Sequence, residues 1–384
     1  MRSRHPRPSA NLPPGDSSCH LSTIPHPRKK TKKIWVGKVA VGGNSPISVQ
    51  SMTKTDTEDM EATLREVRAL EIAGCEIVRV AVPDASAADS LRELKAQVRI
   101  PIVADIHFDH RLALAALEAG VDGLRLNPGN IGARWKVEEV VRAAQERQVP
   151  IRIGVNAGSL EKDLLARHGQ PTAEAMVKSA ARHLSILEDL GFDRIKVSLK
   201  AFNISLTVAA YHLFSERYDY PLHLGITEAG AAFGGGIRSA IGLGILLAEG
   251  IGDTLRVSLT ADPVEEVRVG YEILRSLGLR ERGPVLISCP SCGRAEIDLQ
   301  TLAREVEQRL KDIPDPLHIA VMGCPVNGPG EARAADLGIA GGRGVGILFC
   351  RGKILKKVPE AELVDALLEA VEQLRKGAKP DALV

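Results

Sequence analysis

Between about residue 33 and residue 260 the chain alternates eight short apolar runs with longer amphipathic ones. The runs are SVQSM, EIVRVAV, IPIVADI, GLRLN, IRIGVN, RIKVSLK, LHLGIT and TLRVSLT, and their composition and length predict strands. Between most of them lie patterns such as DMEATLREVRALEIAG and AEAMVKSAARHLSILEDLG. Their apolar residues recur at three- and four-residue steps, and a glycine closes each, which predicts helices. Strands joined by helical crossovers at this rhythm predict a parallel (β/α)8 TIM barrel. The segment KKIWVGKVAVGGN, ahead of the first strand, is expected to form a hairpin closing the barrel bottom.

The chain has 384 residues, enough for two domains. After a linker around 279–284 the βα rhythm resumes. VLISCPSC reads as a strand running into a cysteine loop, DLQTLAREVEQRLKDI as a helix, and LHIAVMGC as a strand ending at a cysteine. A Gly-rich stretch, the strand GVGILFC and the helix PEAELVDALLEAVEQLRKG follow. The expected organisation is a disordered basic tail over 1–32, a TIM-barrel substrate domain over 33–278 and a smaller α/β iron–sulfur domain over 285–384. The tail is rich in Pro, Ser and Arg and has no apolar core of a secretory signal. A net charge of +2 gives no reason to invoke nucleic acid, and the one basic run, PRKKTKK, lies at the entry to the barrel. No apolar run approaches the roughly 18 residues a membrane helix needs, so no membrane partner is expected. Six cysteines, three of them in metal-like spacing, favour a reducing cytoplasm over a disulfide framework.

Active sites of such barrels lie at the C-terminal ends of the strands. Those ends carry an unusual set of cations: Arg79, Arg125, Arg152, Lys200 and Arg256. A guanidinium facing a barrel interior is costly without an anion to balance it. Five strands converging on one mouth describe a polyanion site, most simply for a diphosphate. The alternative for each Arg taken alone is an acid partner or an outward orientation. Ser258, Asn127, Asn130, Asn156, Gly158, Ser159 and Thr227 interleave polar groups with these cations, and so do Asp105, His107 and Asp109. Glu228 follows a strand end, where a carboxylate can exchange a proton or pair with an arginine. The run Gly234–Gly236 is a weak phosphate-loop signal.

Cys289 and Cys292 form a CxxC in ISCPSCGR, and Cys324 stands in VMGCPVNGPGE. Three soft thiolates are too few for a closed four-thiolate centre. They suit an iron–sulfur cluster with a non-cysteine fourth ligand and an exchangeable position. Zinc and a redox dithiol also fit a lone CxxC. Cys350 is one possible fourth ligand, although Cys75 and Cys350 both sit in apolar runs typical of inert thiols. Spacing favours Glu331, seven residues after Cys324 across a Gly/Pro loop.

These cysteine motifs, with VQSMT, VRVAVP, ADIHFD, LRLNPGN, IGVNAGSL, KVSLKA, GITEAG and DTLRVSLT, resemble the (E)-4-hydroxy-3-methylbut-2-enyl diphosphate synthase family over nearly all of the chain from residue 33. The resemblance implies a [4Fe–4S] cluster on Cys289, Cys292, Cys324 and Glu331. It implies a substrate site of Arg79, Arg125, Arg152, Asn156, Lys200, Arg256 and Ser258, with Glu228 near the reacting carbons. The reaction implied is reductive ring opening of a cyclic diphosphate, 2-C-methyl-D-erythritol 2,4-cyclodiphosphate, with electrons from reduced ferredoxin or flavodoxin. A homodimer is implied in which the barrel of one subunit faces the cluster domain of the other. Three other readings are a non-redox barrel enzyme with a structural cluster, an iron–sulfur carrier, and a zinc module for nucleic acid.

Overall fold

The computed structural model describes residues 25–292, 295, 297–324 and 332–378. A two-stranded hairpin, β1 (Ile34–Val36) and β2 (Val39–Val41), comes first. Eight parallel strands follow: β3 (Ser48–Met52), β4 (Ile77–Ala81), β5 (Ile102–Asp105), β6 (Gly123–Arg125), β7 (Ile151–Asn156), β8 (Ile195–Lys200), β9 (His223–Leu224) and β10 (Thr254–Leu255). Their hydrogen-bonded order runs β8-β7-β6-β5-β4-β3-β10-β9, and a parallel bridge from Val197 to Leu222 joins the two ends into a barrel.

The crossover helices are α1 (Met60–Ala73), α2 (Ala85–Gln97), α3 (His110–Glu118), the short α4 (Pro128–Ile131), α5 (Arg134–Glu146), α6 (Lys162–His168), α7 (Ala173–Asp189), α8 (Ile204–Arg217), α9 (Ala232–Ala248) and α10 (Pro263–Ser276). Asp59, Asp84, Asp109, Thr172, Asn203 and Asp262 start six of them by accepting a backbone N–H of the first turn. Outward strand residues such as Val49, Val78, Val80, Leu124, Ile153, Val197 and Leu255 pack with helix residues such as Val67, Leu70, Leu91, Leu184 and Leu246 in one continuous apolar shell. This shell is the main source of stability, since each fully buried Leu or Val side chain contributes about 1.5–3 kcal/mol.

The barrel interior is different. Paired residues on adjacent strands share a face. The register sets Asp105 opposite Arg125, Arg125 opposite Arg152, Arg152 opposite Lys196, and Thr254 opposite both His223 and Ser48. Most TIM barrels fill this space with Val, Ile and Leu. Here charged and polar groups fill most of it, with the Met52 thioether against Arg79 at 3.0 Å, and apolar side chains close the bottom. Ile34, Val36 and Val41 of the hairpin pack there on Ile77 and Val103, as the sequence pattern predicts.

The second sheet has the order β11 (Val285–Ser288), β12 (His318–Met322), β13 (Leu337–Ala340), β14 (Val345–Cys350) and β15 (Lys353–Pro359). Its first three strands are parallel and its last two antiparallel to their neighbours. Helices α11 (Leu299–Leu310) and α12 (Leu363–Arg375) contribute Val306, Leu310, Leu363, Leu367 and Val371 to a separate core. β13 lies inside the Gly-rich stretch, where Gly338 leaves room for the Phe349 ring, so the glycine obscures its strand pattern. β15, KILKKVP, is a lysine-rich edge strand, the composition that discourages edge-to-edge pairing.

Two sequence expectations need correction. The segment just before residue 33 is not loose where it is described: Arg28 pairs with Asp253 at 2.8 Å, Thr31 donates to the same carboxylate at 2.9 Å, and the backbone of His26, Lys29 and Lys32 bonds to the barrel. Arg28 also donates to the Gly252 carbonyl at 3.2 Å, and Lys29 Nζ donates to the Tyr218 carbonyl at 3.4 Å. The run Gly234–Gly236 is not a loop but lies within α9. A Cβ on Gly235 would sit 2.7 Å from the Gly230 carbonyl oxygen, so this glycine serves close packing.

Candidate active site

A cavity of ≈ 230 Å³ opens at the C-terminal ends of the barrel strands. Arg79, Asp105, His107, Arg125, Arg152, Asn156, Ser198, Lys200, Thr227, Arg256 and Ser258 line it. The structure therefore brings together all seven residues named for substrate, from β4, β6, β7, β8 and the segment after β10. Glycines make room for them. A Cβ on Gly225 would lie 2.5 Å from Lys200 Nζ, and one on Gly154 would lie 2.8 Å from Arg125 Nε.

Five cations face one acid. Asp105 meets Arg125 Nη1 at 3.1 Å and Arg79 Nε at 3.5 Å. Burial raises the Asp105 carboxyl, but Arg79, a hydrogen bond from His107 and Arg125 outweigh it and hold the group well below the usual carboxylate range. Arg256 uses a different acid. Glu266, fully buried on α10, accepts from its Nε at 3.2 Å, from Ser51 at 3.0 Å and from the Leu259 N–H, and pairs with Lys54. Arg152 is 1% exposed, and its Nε and Nη1 have no hydrogen-bond partner. Burial, reinforced by Arg79 and Arg125, drives the Arg152 pKa well below its ordinary value. Burial, then Arg152 and Arg79, does the same to Lys200. A cavity with this imbalance has a strong electrostatic demand for a multiply charged anion.

Several polar residues singled out from the sequence serve the frame instead. Asn127 accepts from the Gly154 N–H at 2.9 Å and donates to its carbonyl at 3.0 Å, clamping β6 to β7. Asp109 caps α3. Ser159 donates to the Asn156 carbonyl at 3.3 Å, and Asn130 is exposed. Glu228 is exposed and is not among the cavity-lining residues, although its neighbour Thr227 is. Its backbone is left-handed at φ 55, a conformation usually left to glycine and one found at functional turns. Ser198 was missed from the sequence, as were the buried Lys196 and His223 beneath the cavity. The period of two along IKVSLK carries the signal: Lys196 and Ser198 share the inward face of Lys200.

The cysteines stand on the second sheet. Cys289 directly follows β11, and Cys324 follows β12, the strand paired with it in parallel. The Gly323 N–H donates to Cys289 Sγ at 3.4 Å. Cys292 is exposed, and none of the described cysteines forms a disulfide. Cys75 is buried and burial pushes its thiol up to about 12, while Cys350 is buried in the second core, so both fit inert packing roles. Among the described residues no three His, Cys, Asp or Glu side chains gather into a metal-holding group. Glu331 lies outside the described residues.

The linker runs along the opposite rim of the barrel from the cavity. Arg280 donates to the Ile47 carbonyl at 2.7 Å and pairs with Glu76, just before β3 and β4. Arg268 of α10 meets Asp312 at 3.5 Å, and a groove of ≈ 420 Å³ at this junction is lined by Tyr271, Arg282, Lys311 and Pro314. β11 and β12 start at that junction. Their C-terminal cysteines therefore lie at the end of the small sheet remote from their own barrel.

Fold and site together define an anion-binding TIM-barrel enzyme with an appended thiol-bearing α/β domain. The chain belongs to the GcpE family: the GcpE TIM-barrel domain matches residues 31–271 and the GcpE protein C-terminal domain matches residues 285–373. A relative in Geobacter sulfurreducens, named 4-hydroxy-3-methylbut-2-en-1-yl diphosphate synthase (flavodoxin), is 65% identical over 90% of this chain and 98% of its own. Relatives of the same name in Thermodesulfovibrio yellowstonii and Symbiobacterium thermophilum are 59% and 60% identical over 90% of this chain and 99% and 94% of theirs.

Proposed function

We infer that the protein is an oxidoreductase that reduces 2-C-methyl-D-erythritol 2,4-cyclodiphosphate to (E)-4-hydroxy-3-methylbut-2-enyl diphosphate, a step of isoprenoid synthesis. The overall change takes in two electrons and two protons, opens the cyclic C–O bond and releases water. The observation that carries this reading is the cavity with five cations and one acid, in a chain of this family. Arg79, Arg125, Arg152, Lys200 and Arg256 bind the diphosphate, with Asn156 and Ser258 orienting its oxygens. Planar guanidiniums suit this task because they donate two parallel hydrogen bonds to phosphate. Asp105 and Glu266 keep three of the five cations aimed before substrate arrives, so less ordering is left for the binding step. Glu228, next to the cavity-lining Thr227, would give or take a proton.

The donor set fits an iron–sulfur cluster: thiols follow adjacent parallel strands, and a backbone N–H already points at one sulfur. Cys289, Cys292 and Cys324 would hold a [4Fe–4S] cluster, with Glu331 as the fourth ligand. Such a cluster supplies electrons one at a time. Flavodoxin, in the name of the relatives, is the proposed donor, with ferredoxin the alternative. The cysteines are remote from their own barrel mouth, which supports a homodimer whose cluster domain covers the partner subunit's cavity. Among the described residues no helix is long and apolar enough to cross a membrane, and the proposed compartment is the cytoplasm. Ring opening in anaerobic protein, followed in the phosphorus spectrum with and without reductant, tests the reading.

A further inference from the structure

Beneath the cavity the barrel interior continues as a polar floor. Lys196 of β8 is 1% exposed, and its Nζ has no hydrogen-bond partner. His223 of β9 is 0% exposed, and neither of its ring nitrogens has a partner. Gln50 of β3 is equally buried, with both amide atoms unpartnered. Register sets Arg152 of β7 directly opposite Lys196, and the bridge from Val197 to Leu222 brings β9 against the other side of β8.

Among the described residues, the charged and titratable groups around Lys196 are all cationic or neutral. Arg152 acts on it from β7, and no acid does. His223 faces it from β9 and also feels Lys200, Arg152 and Arg79. Tyr211 reaches in from α8, but its hydroxyl is engaged, donating to the His223 carbonyl at 2.6 Å and accepting from the Leu199 N–H at 3.1 Å. Lys200 and Arg256 stand above toward the mouth, and Asp105 is committed to Arg79 and Arg125.

We propose that Lys196 is a positioning residue for the diphosphate: it takes a proton from solvent when the phosphorylated anion fills the cavity, and so adds positive charge beside Arg152 only when it is needed. Without an anion, burial and then Arg152 lower its pKa to about 7, so near neutral pH much of it is the free amine. An anion above Arg152 neutralises the charge that repels the ammonium, and protonation follows. The only bond formed is N–H, and the proton comes from the buffer. The inference rests on the cavity being a diphosphate site, and the experiment separates the two.

Inorganic pyrophosphate is titrated calorimetrically into the full-length protein at pH 8, in buffers of differing ionisation heat. The wild type is compared with Lys196→Met and Lys196→Arg. The wild type should take up more protons per bound pyrophosphate than either variant, by up to about one. Lys196→Arg carries a fixed charge and should bind pyrophosphate with a flatter pH dependence than the wild type. It also keeps the comparison alive if Lys196→Met does not fold. Equal proton uptake in all folded proteins that bind would overturn the role of Lys196 while leaving the diphosphate site standing. Failure of the wild type to bind pyrophosphate would overturn the diphosphate reading itself.

Discussion

Asp105 lets two guanidiniums stand beside each other in a barrel that should otherwise reject them. Replacing it with Asn leaves Arg79 and Arg125 buried without a counter-charge, which costs about 3–5 kcal/mol for a broken buried pair. Denaturant unfolding of Asp105→Asn should show that loss at pH 7, and added pyrophosphate should restore part of it. Because its folded-state pKa is depressed, the stabilising contribution of Asp105 is full above the ordinary carboxylate range and declines as pH falls below it. Lys196 has the opposite effect. Its pKa falls from 10.5 to about 7 on folding, so the unfolded chain binds more protons between those values. Stability should therefore rise with pH across that window, and Lys196→Met should flatten the rise in thermal unfolding measured from pH 7 to pH 10. These residues also show where sequence reading stops. The cations at the strand ends were legible because the barrel rhythm is plain and Arg is rare on buried strands. Lys196 and His223 were not: Lys196 shares the inward period of Lys200 but lies below the strand end where sites are sought, and His223 stands on a two-residue strand too short to show a period.

Single strands and turns set how much space the site has. Gly225, on the inward face just after β9, faces Lys200 Nζ and the Arg256 carbonyl oxygen, which would lie 2.9 Å from a Cβ placed on this glycine. Gly225→Ala should therefore raise KM roughly tenfold or more, as expected when about 1.4 kcal/mol of binding is lost. Crowding of that backbone oxygen should also cost about 1–3 kcal/mol in thermal stability, below the loss expected for Asp105→Asn. Steady-state kinetics beside a melting curve separate the two effects. The eight barrel strands, the hairpin, β11, β12 and β14 were all readable from period and composition. β13 was hidden because glycine replaces the usual inward side chain where Phe349 needs room. β15 was hidden because an edge strand is half solvated and reads as polar. The glycine run in α9 misled because glycine marks close packing as well as anion loops, and the one-dimensional pattern does not separate them.

At the scale of the whole molecule, the linker holds the small sheet at the rim opposite the cavity, and that arrangement shapes the proposed catalysis. A barrel variant, Arg152→Ala, and a cluster variant, Cys324→Ser, should each lose nearly all turnover. In a dimer with shared sites, co-refolding the two in equal amounts should restore about one quarter of wild-type activity, because half the dimers then carry one intact site. Activity that stays near zero in a verified mixed dimer would mean that each site closes within one chain. The family motifs made the cysteines readable at once, whereas the direction in which the domain hangs depends on Arg280, Arg268 and the linker contacts, which carry no motif.

The most direct test is turnover in protein purified without oxygen. The cyclodiphosphate is added with a one-electron reductant, and the phosphorus spectrum is followed. A linear allylic diphosphate should form only when reductant is present and only while Cys289, Cys292 and Cys324 are intact. Product formed without reductant, or none formed by protein with its iron and sulfide complement intact, would contradict reductive ring opening at this site.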